Sequence, residues 1–209
     1  MKIIDLNTWK RKEHFELFTQ YEEPFFGIVT EVDCTEAFLQ AKEQKRSFFA
    51  SYLHKSLLAL NEIENFHFRI VDGQVVFFDE IHATQTIARE DGTFAFSFVK
   101  YTKDLSLFES LLNEEIKEVH ATTGLRVNNE TARQDVIHYS SIPWVHFTGL
   151  THARNLKIED SIPKIAFGKV IEKNHRRMMP VSLHAHHALM DGLHAAQFFE
   201  SFQNKLTSV

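Results

Sequence analysis

The chain has 209 residues, 44% of them hydrophobic and 24% charged, with a net charge of -5 when its histidines are neutral. That length can bury a full core and suits one continuous domain over residues 1–209. Its basic residues are dispersed, which excludes a nucleic-acid footprint, and no run approaches a membrane span. The single cysteine, Cys34, excludes an intramolecular disulfide and a multi-cysteine zinc site. It lies in Val32-Asp33-Cys34-Thr35 and reads as packing rather than as a nucleophile. Met1-Lys2-Ile3-Ile4-Asp5-Leu6 lacks the apolar core of a signal peptide, so a cytoplasmic, reducing location is expected. The 20 Phe and 13 His are unusual. So many Phe point to thick sheet–helix packing, a wide apolar pocket or buried subunit contacts.

In chain order, residues 8–20 read as a short helix holding Trp9, Phe15 and Phe18, followed by a strand from Pro24 to Val32. Thr35 reads as the N-cap of one long helix with Phe38, Ala41, Phe49, Tyr52, Leu53, Leu57 and Leu60 at helical spacing. The charged run Lys42–Arg46 forms its solvated face. Phe66–Ile70, the turn Val71-Asp72-Gly73-Gln74 and Val75–Phe78 make a hairpin. Phe94–Tyr101 is a further strand, and Asp104 caps a helix through Leu107, Phe108, Leu111, Leu112 and Ile116. After a polar stretch from Thr122 to Arg133 come strands near 135–141, 164–172 and 178–187. A helix from Gly192 to Leu206 closes the chain, apolar at Ala195, Phe199, Phe202 and Leu206. Long helices on one side of a mixed sheet make this α+β, a two-layer sandwich.

The most informative segment is His186-His187-Ala188-Leu189-Met190-Asp191-Gly192. Val181, Leu183, Ala185 and His187 share one phase of a two-residue alternation, which sets His187 on the core-facing side at the strand's end. Asp191 and Gly192 then turn the chain. A histidine on a rigid strand end, with an acid fixed nearby, suits general-base chemistry on a hydroxyl. On these residues alone, a strand-end histidine bonded to backbone is the competing account. A metal site is a second alternative, since His184 and His186 share a strand face with His194 nearby. However, no carboxylate or cysteine completes the set, His187 points the other way, and no metal is expected.

Four ordered pieces together resemble the chloramphenicol acetyltransferase family. They are Trp9-Lys10-Arg11-Lys12-Glu13-His14-Phe15, Ser140-Ser141-Ile142-Pro143-Trp144, Gly168-Lys169, and His186 through His194. They span essentially the whole chain. The resemblance implies a two-layer sandwich assembled as a homotrimer, with active sites at subunit interfaces. It implies acetyl transfer from acetyl-coenzyme A, a co-substrate rather than a bound cofactor, to a small-molecule hydroxyl without an acyl-enzyme. By the same resemblance His187 is the general base, Ser140 donates to the tetrahedral oxyanion, and Asp191 pairs with Arg11 as a structural ion pair. If the register shifts by one, Ser141 takes the place of Ser140. Trp144 and Lys169 would lie near the coenzyme A channel.

The acceptor side departs from the family pattern. Phe18 replaces a drug-binding tyrosine, and Ala166 replaces a threonine that holds a water near the transition state. Val127 and Leu150 replace apolar aromatics, and His152 stands where the family has an aliphatic residue, making part of the pocket polar. Three other readings follow. The first keeps fold and base with a different hydroxyl acceptor. The second is a dihydrolipoamide acyltransferase core, which shares a similar His-x-x-x-Asp-Gly ending. The third is a non-catalytic coenzyme A-binding homologue.

Overall fold

The computed structural model describes residues 1–208. Its main sheet is mixed, in the order β2–β10–β8–β7–β5–β6. These strands are β2 (Phe25–Asp33), β5 (His82–Ala88), β6 (Phe94–Val99), β7 (Val136–Ile142), β8 (Lys164–Gly168) and β10 (Arg176–His186). A short β9 (Ile171–Lys173) pairs with β10. The β5–β7 and β7–β8 pairs are parallel, and the others antiparallel. A second sheet, ordered β1–β4–β3, joins β1 (Lys2–Ile3) to the hairpin of β3 (Phe68–Val71) and β4 (Gln74–Phe77). Asp72 and Gly73 both have positive φ, 51° and 72°, as a two-residue turn matched to strand twist requires.

Four helices cover one face of the main sheet: α2 (Thr35–Glu43), α3 (Phe48–Asn61), α4 (Leu105–Ala121) and α5 (Gly192–Thr207). Leu53, Leu57 and Leu60 of α3, Phe108 and Leu112 of α4, and Phe198, Phe202 and Leu206 of α5 meet Ile137, Ile165, Phe167, Val181 and Leu183 of the sheet in one buried cluster. The first helix, α1 (Lys12–Phe18), lies outside that layer. Its Phe15 joins Phe68, Ile70 and Val75 of the second sheet with Ala188 and Leu189 in a separate cluster. The turn after β10 is thereby packed from below by the hairpin. Arg69, fully buried, ties that hairpin to the main sheet by donating to the carbonyls of Phe66, Phe68, Gln134 and Val136. The fold is the expected α+β arrangement of helices on one face of a mixed sheet.

Several boundaries differ from the sequence expectation. The long helix is two helices, because Lys45 takes a left-handed φ of 54° and Ser47 starts a new helix by accepting the Ala50 amide at 3.2 Å. Thr35 is not a cap. Its amide and hydroxyl both donate to the Asp33 carboxylate, at 3.0 and 2.6 Å. The run Lys42–Arg46 is not simply solvated, since Arg46 pairs with Glu109 of α4 at 3.2 Å. The strand read over 164–172 breaks between β8 and β9. The central strand β5 was not anticipated; its outward residues His82, Thr84 and Thr86 are polar. In α5 it is Phe198 that is fully buried, with Phe199 packing beside the core.

Candidate active site

Alternation along β10 turns Val181, Leu183 and Ala185 toward the helices and Ser182, His184 and His186 toward the opposite face. His187 stands one residue past the strand end, and its amide donates to the Pro24 carbonyl at 2.8 Å. Its imidazole stacks on Phe18 with centroids 4.1 Å apart and planes 2° from parallel. Phe26 closes its other side at 4.8 Å. Nδ1 is enclosed without a hydrogen-bond partner, so Nε2 is the nitrogen free to meet a substrate.

The turn carrying this ring is held from three directions. Arg11 donates to the His187 carbonyl at 3.1 Å and to Asp191 Oδ2 at 2.8 Å. Asp191 Oδ1 accepts the Leu193 amide at 3.0 Å and so caps α5. His194 Nδ1 in turn accepts the Asp191 amide at 3.1 Å. Burial, the largest single effect, would raise the Asp191 carboxyl, but the Arg11 hydrogen bond and charge, His194 and the Leu193 amide together outweigh it and hold the group below the ordinary aspartate range. Asn65 closes the turn by donating to the Leu189 carbonyl at 2.8 Å.

Ser140 lies elsewhere. It faces away from the helices on β7, whereas Ser141 faces them and shares a hydrogen bond with Tyr52 Oη at 3.1 Å. Ser140 lines a cavity of about 270 Å³ with His138, His152, Lys164, Phe94 and Phe96. It pairs across the sheet with Ala166, and Ala166 pairs with Ser182. His187 is five residues beyond Ser182, so two strand spacings and five strand residues separate the two backbones by about 19 Å. In one chain, therefore, His187, Phe18, Arg11 and Asp191 form one group and Ser140 and His152 another.

The remaining expected residues are scattered. Ala166 is fully buried beneath Ser140, and Leu150 is half-buried in the loop after β7. Trp144 is 71% exposed just past β7. Lys169 follows β8, its amide donating to the Val145 carbonyl at 2.8 Å and its carbonyl accepting from His146. Gly168 before it is required: a Cβ there would meet Pro180 at 2.5 Å and Phe147 at 2.8 Å. Val127 is 69% exposed and is not among the residues lining the Ser140 cavity of one chain. His184 and His186 share the outer face while His187 and His194 stand apart from it. No group of three or more potential metal ligands occurs among the described residues. Cys34 is buried, its thiol pushed up to about 12 by burial, and it donates to the Arg177 carbonyl at 3.2 Å. No helix among the described residues is long and apolar enough to cross a membrane.

Sequence reasoning missed Phe26 beside the His187 ring, and His138 and Lys164 beside Ser140. The two-residue register did contain a signal for the latter pair: His138 and Lys164 are partners across β7 and β8 and share the outward phase with Ser140.

The family profile described as chloramphenicol acetyltransferase matches residues 1–203. Chloramphenicol acetyltransferase 2 of Haemophilus influenzae is 30% identical over 205 residues, covering 96% of this chain and 94% of its own length. A chloramphenicol acetyltransferase of Staphylococcus aureus is 29% identical over 206 residues, covering 96% and 93%. Among solved structures, a chloramphenicol acetyltransferase superposes with a TM-score of 0.91 at 30% identity, covering 99% of both chains. A dihydrolipoamide acetyltransferase of Azotobacter vinelandii shares the fold, with a TM-score of 0.73 at 17% identity over 94% of this chain and 86% of that one. The chain is an acyltransferase and belongs to the chloramphenicol acetyltransferase family.

Proposed function

We propose that this protein transfers an acetyl group from acetyl-coenzyme A to a hydroxyl of chloramphenicol or a related small molecule, in a ternary complex at the interfaces of a homotrimer. His187 Nε2 takes the proton from the acceptor hydroxyl as its oxygen attacks the thioester carbonyl. The Ser140 hydroxyl donates to the oxyanion that forms. The tetrahedral intermediate then collapses, the carbon–sulfur bond breaks, and the departing thiolate recovers the proton from the imidazolium. Arg11 and Asp191 position the base through its carbonyl and the start of α5. Trp144 and Lys169, exposed at the ends of β7 and β8, are assigned to coenzyme A.

The observation that carries this reading is the fixed imidazole of His187, stacked on Phe18 with one nitrogen enclosed and the other free. A neutral imidazole can accept a proton at one nitrogen and return it, which is what a general base needs. The separation of about 19 Å between His187 and Ser140 supports a site shared by two copies, in which the base of one meets the oxyanion donor of the next. Thiol release from acetyl-coenzyme A in the presence of chloramphenicol tests the reaction. Turnover lost in His187→Ala is expected; equal turnover in that variant overturns the base assignment. A different hydroxyl acceptor is the second reading, favoured by the polar residues beside Ser140.

A further inference from the structure

We propose that the acceptor is a small hydroxy compound carrying an anionic group, a carboxylate, bound by Lys164 with His138 and His152. This rests on the reading that the Ser140 cavity holds the acceptor. That cavity is lined by one lysine and two histidines but by no aspartate or glutamate among the described residues.

The Lys164 ammonium donates to Asp160 Oδ2 at 2.7 Å and to the Ile162 carbonyl at 3.2 Å, leaving one N–H unused. The ion pair spans a wall. Asp160 lines a separate cavity with Arg154 and His186, while Lys164 is among the residues lining the Ser140 cavity. Burial pushes both His138 and His152 down to about 4, helped by the positive field of Lys164. Each ring is then neutral at ordinary pH and keeps one N–H donor. His152 Nε2 has no hydrogen-bond partner within the protein, and buried polar atoms normally have one. Around His138, Lys164 and Arg69 oppose Asp160 alone, two cations against one carboxylate.

Position limits the ligand further. Lys164 is one strand across and two residues along from Ser140, about 8 Å between backbones. The cavity of about 270 Å³ sits just below the range of drug-sized sites. Ser140 and Lys164 thus mark two points of the lining that one chain contributes. Phe94 and Phe96, on β6, supply an apolar wall on the side of Ser140 away from Lys164.

The test compares 4-(hydroxymethyl)benzoate with its methyl ester by thiol release and by equilibrium binding. The expected kcat/KM ratio of acid to ester is about tenfold or more, the worth of one charge-assisted hydrogen bond. Lys164→Met combined with Asp160→Asn removes both charges together, leaving no carboxylate buried alone, and should bring the ratio close to one. Asp160→Asn alone should raise it, because the lysine loses its competitor. An ester used as well as the acid by the unaltered protein overturns the proposal while leaving acetyl transfer intact. If no acceptor turns over, chloramphenicol included, acetyl transfer fails. Binding of the acid but not the ester, lost in the double variant, would then still sustain the anion site, and equal binding would overturn it.

Discussion

Asp191 serves two structures at once, and two substitutions separate them. It caps α5 through the Leu193 amide and pairs with Arg11, which also holds the His187 carbonyl. Asparagine caps as well as aspartate, so Asp191→Asn keeps the cap and removes the ion pair. The two side chains are 12% and 32% exposed, so solvent screens the pair, and its loss costs about 1–2 kcal/mol, below the figure for a fully buried pair. Asp191→Ala loses the cap as well, a further ~1 kcal/mol. For a chain of this size each kcal/mol lowers Tm by about 2–4 °C. Thermal unfolding at fixed protein concentration should therefore order the proteins wild type, Asn, then Ala, with kcat falling in the same order as the catalytic turn loosens. The Asp191 carboxyl is held below its ordinary value of 3.8 in the folded protein. Its contribution is present above that value and is lost as pH falls through the lower, folded value, so the gap between wild type and Asn closes in acid. An Asn variant with unchanged Tm and kcat would refute the positioning role.

Other consequences are checked by single measurements. Ser140→Ala should lower kcat on the order of 10²-fold with little change in Tm, and an unaltered kcat would remove Ser140 from the oxyanion site. Gly27→Ala should destabilise, because a Cβ would stand 2.5 Å from the His184 ring; a melting point equal to wild type would contradict the close packing of β2 on β10. His138 and His186 are both depressed to about 4, first by burial. Their folded pKa values lie below the unfolded ones, so they favour folding above the ordinary value of 6.5. That stability is lost progressively as pH falls toward 4, at up to about 1.4 kcal/mol per pH unit for each histidine. Denaturant midpoints that stay flat between pH 6.5 and 4.5 would contradict it.

Much of the fold is legible in local chemistry. The Asp72-Gly73 hairpin, the Asp104 cap and the alternation of β10 are short-range signals that the tertiary structure respects. The split between α2 and α3 is not, because apolar periodicity runs on either side of it. Only the left-handed Lys45 and the Ser47 cap break it, and a Lys there carries no turn signature. β5 escaped because a central strand here has one face under helices and the other polar, which reads as loop.

At the site, the motif around His187 offers the proposed base, and the Arg11–Asp191 contact, 180 residues apart in sequence, is legible only through the family resemblance. Lys164 falls at the start of the strand read over 164–172, and its apolar neighbours Ile162, Pro163 and Ile165 do nothing to single it out. Its charge acquires meaning only when β8 is laid beside β7 and His138.

Acetyl transfer as proposed needs His187 from one copy and Ser140 from another. Co-expression of His187→Ala chains with Ser140→Ala chains in equal amounts, with the whole pool of assemblies assayed together, tests it directly. In a trimer drawn at random from equal amounts, about one site in four combines an intact base with an intact oxyanion donor. The account predicts that thiol release recovers to about a quarter of the wild-type rate, far above either variant alone. Activity no greater than the mean of the two separate variants would contradict it, and would place both groups in the same chain or remove one from the reaction.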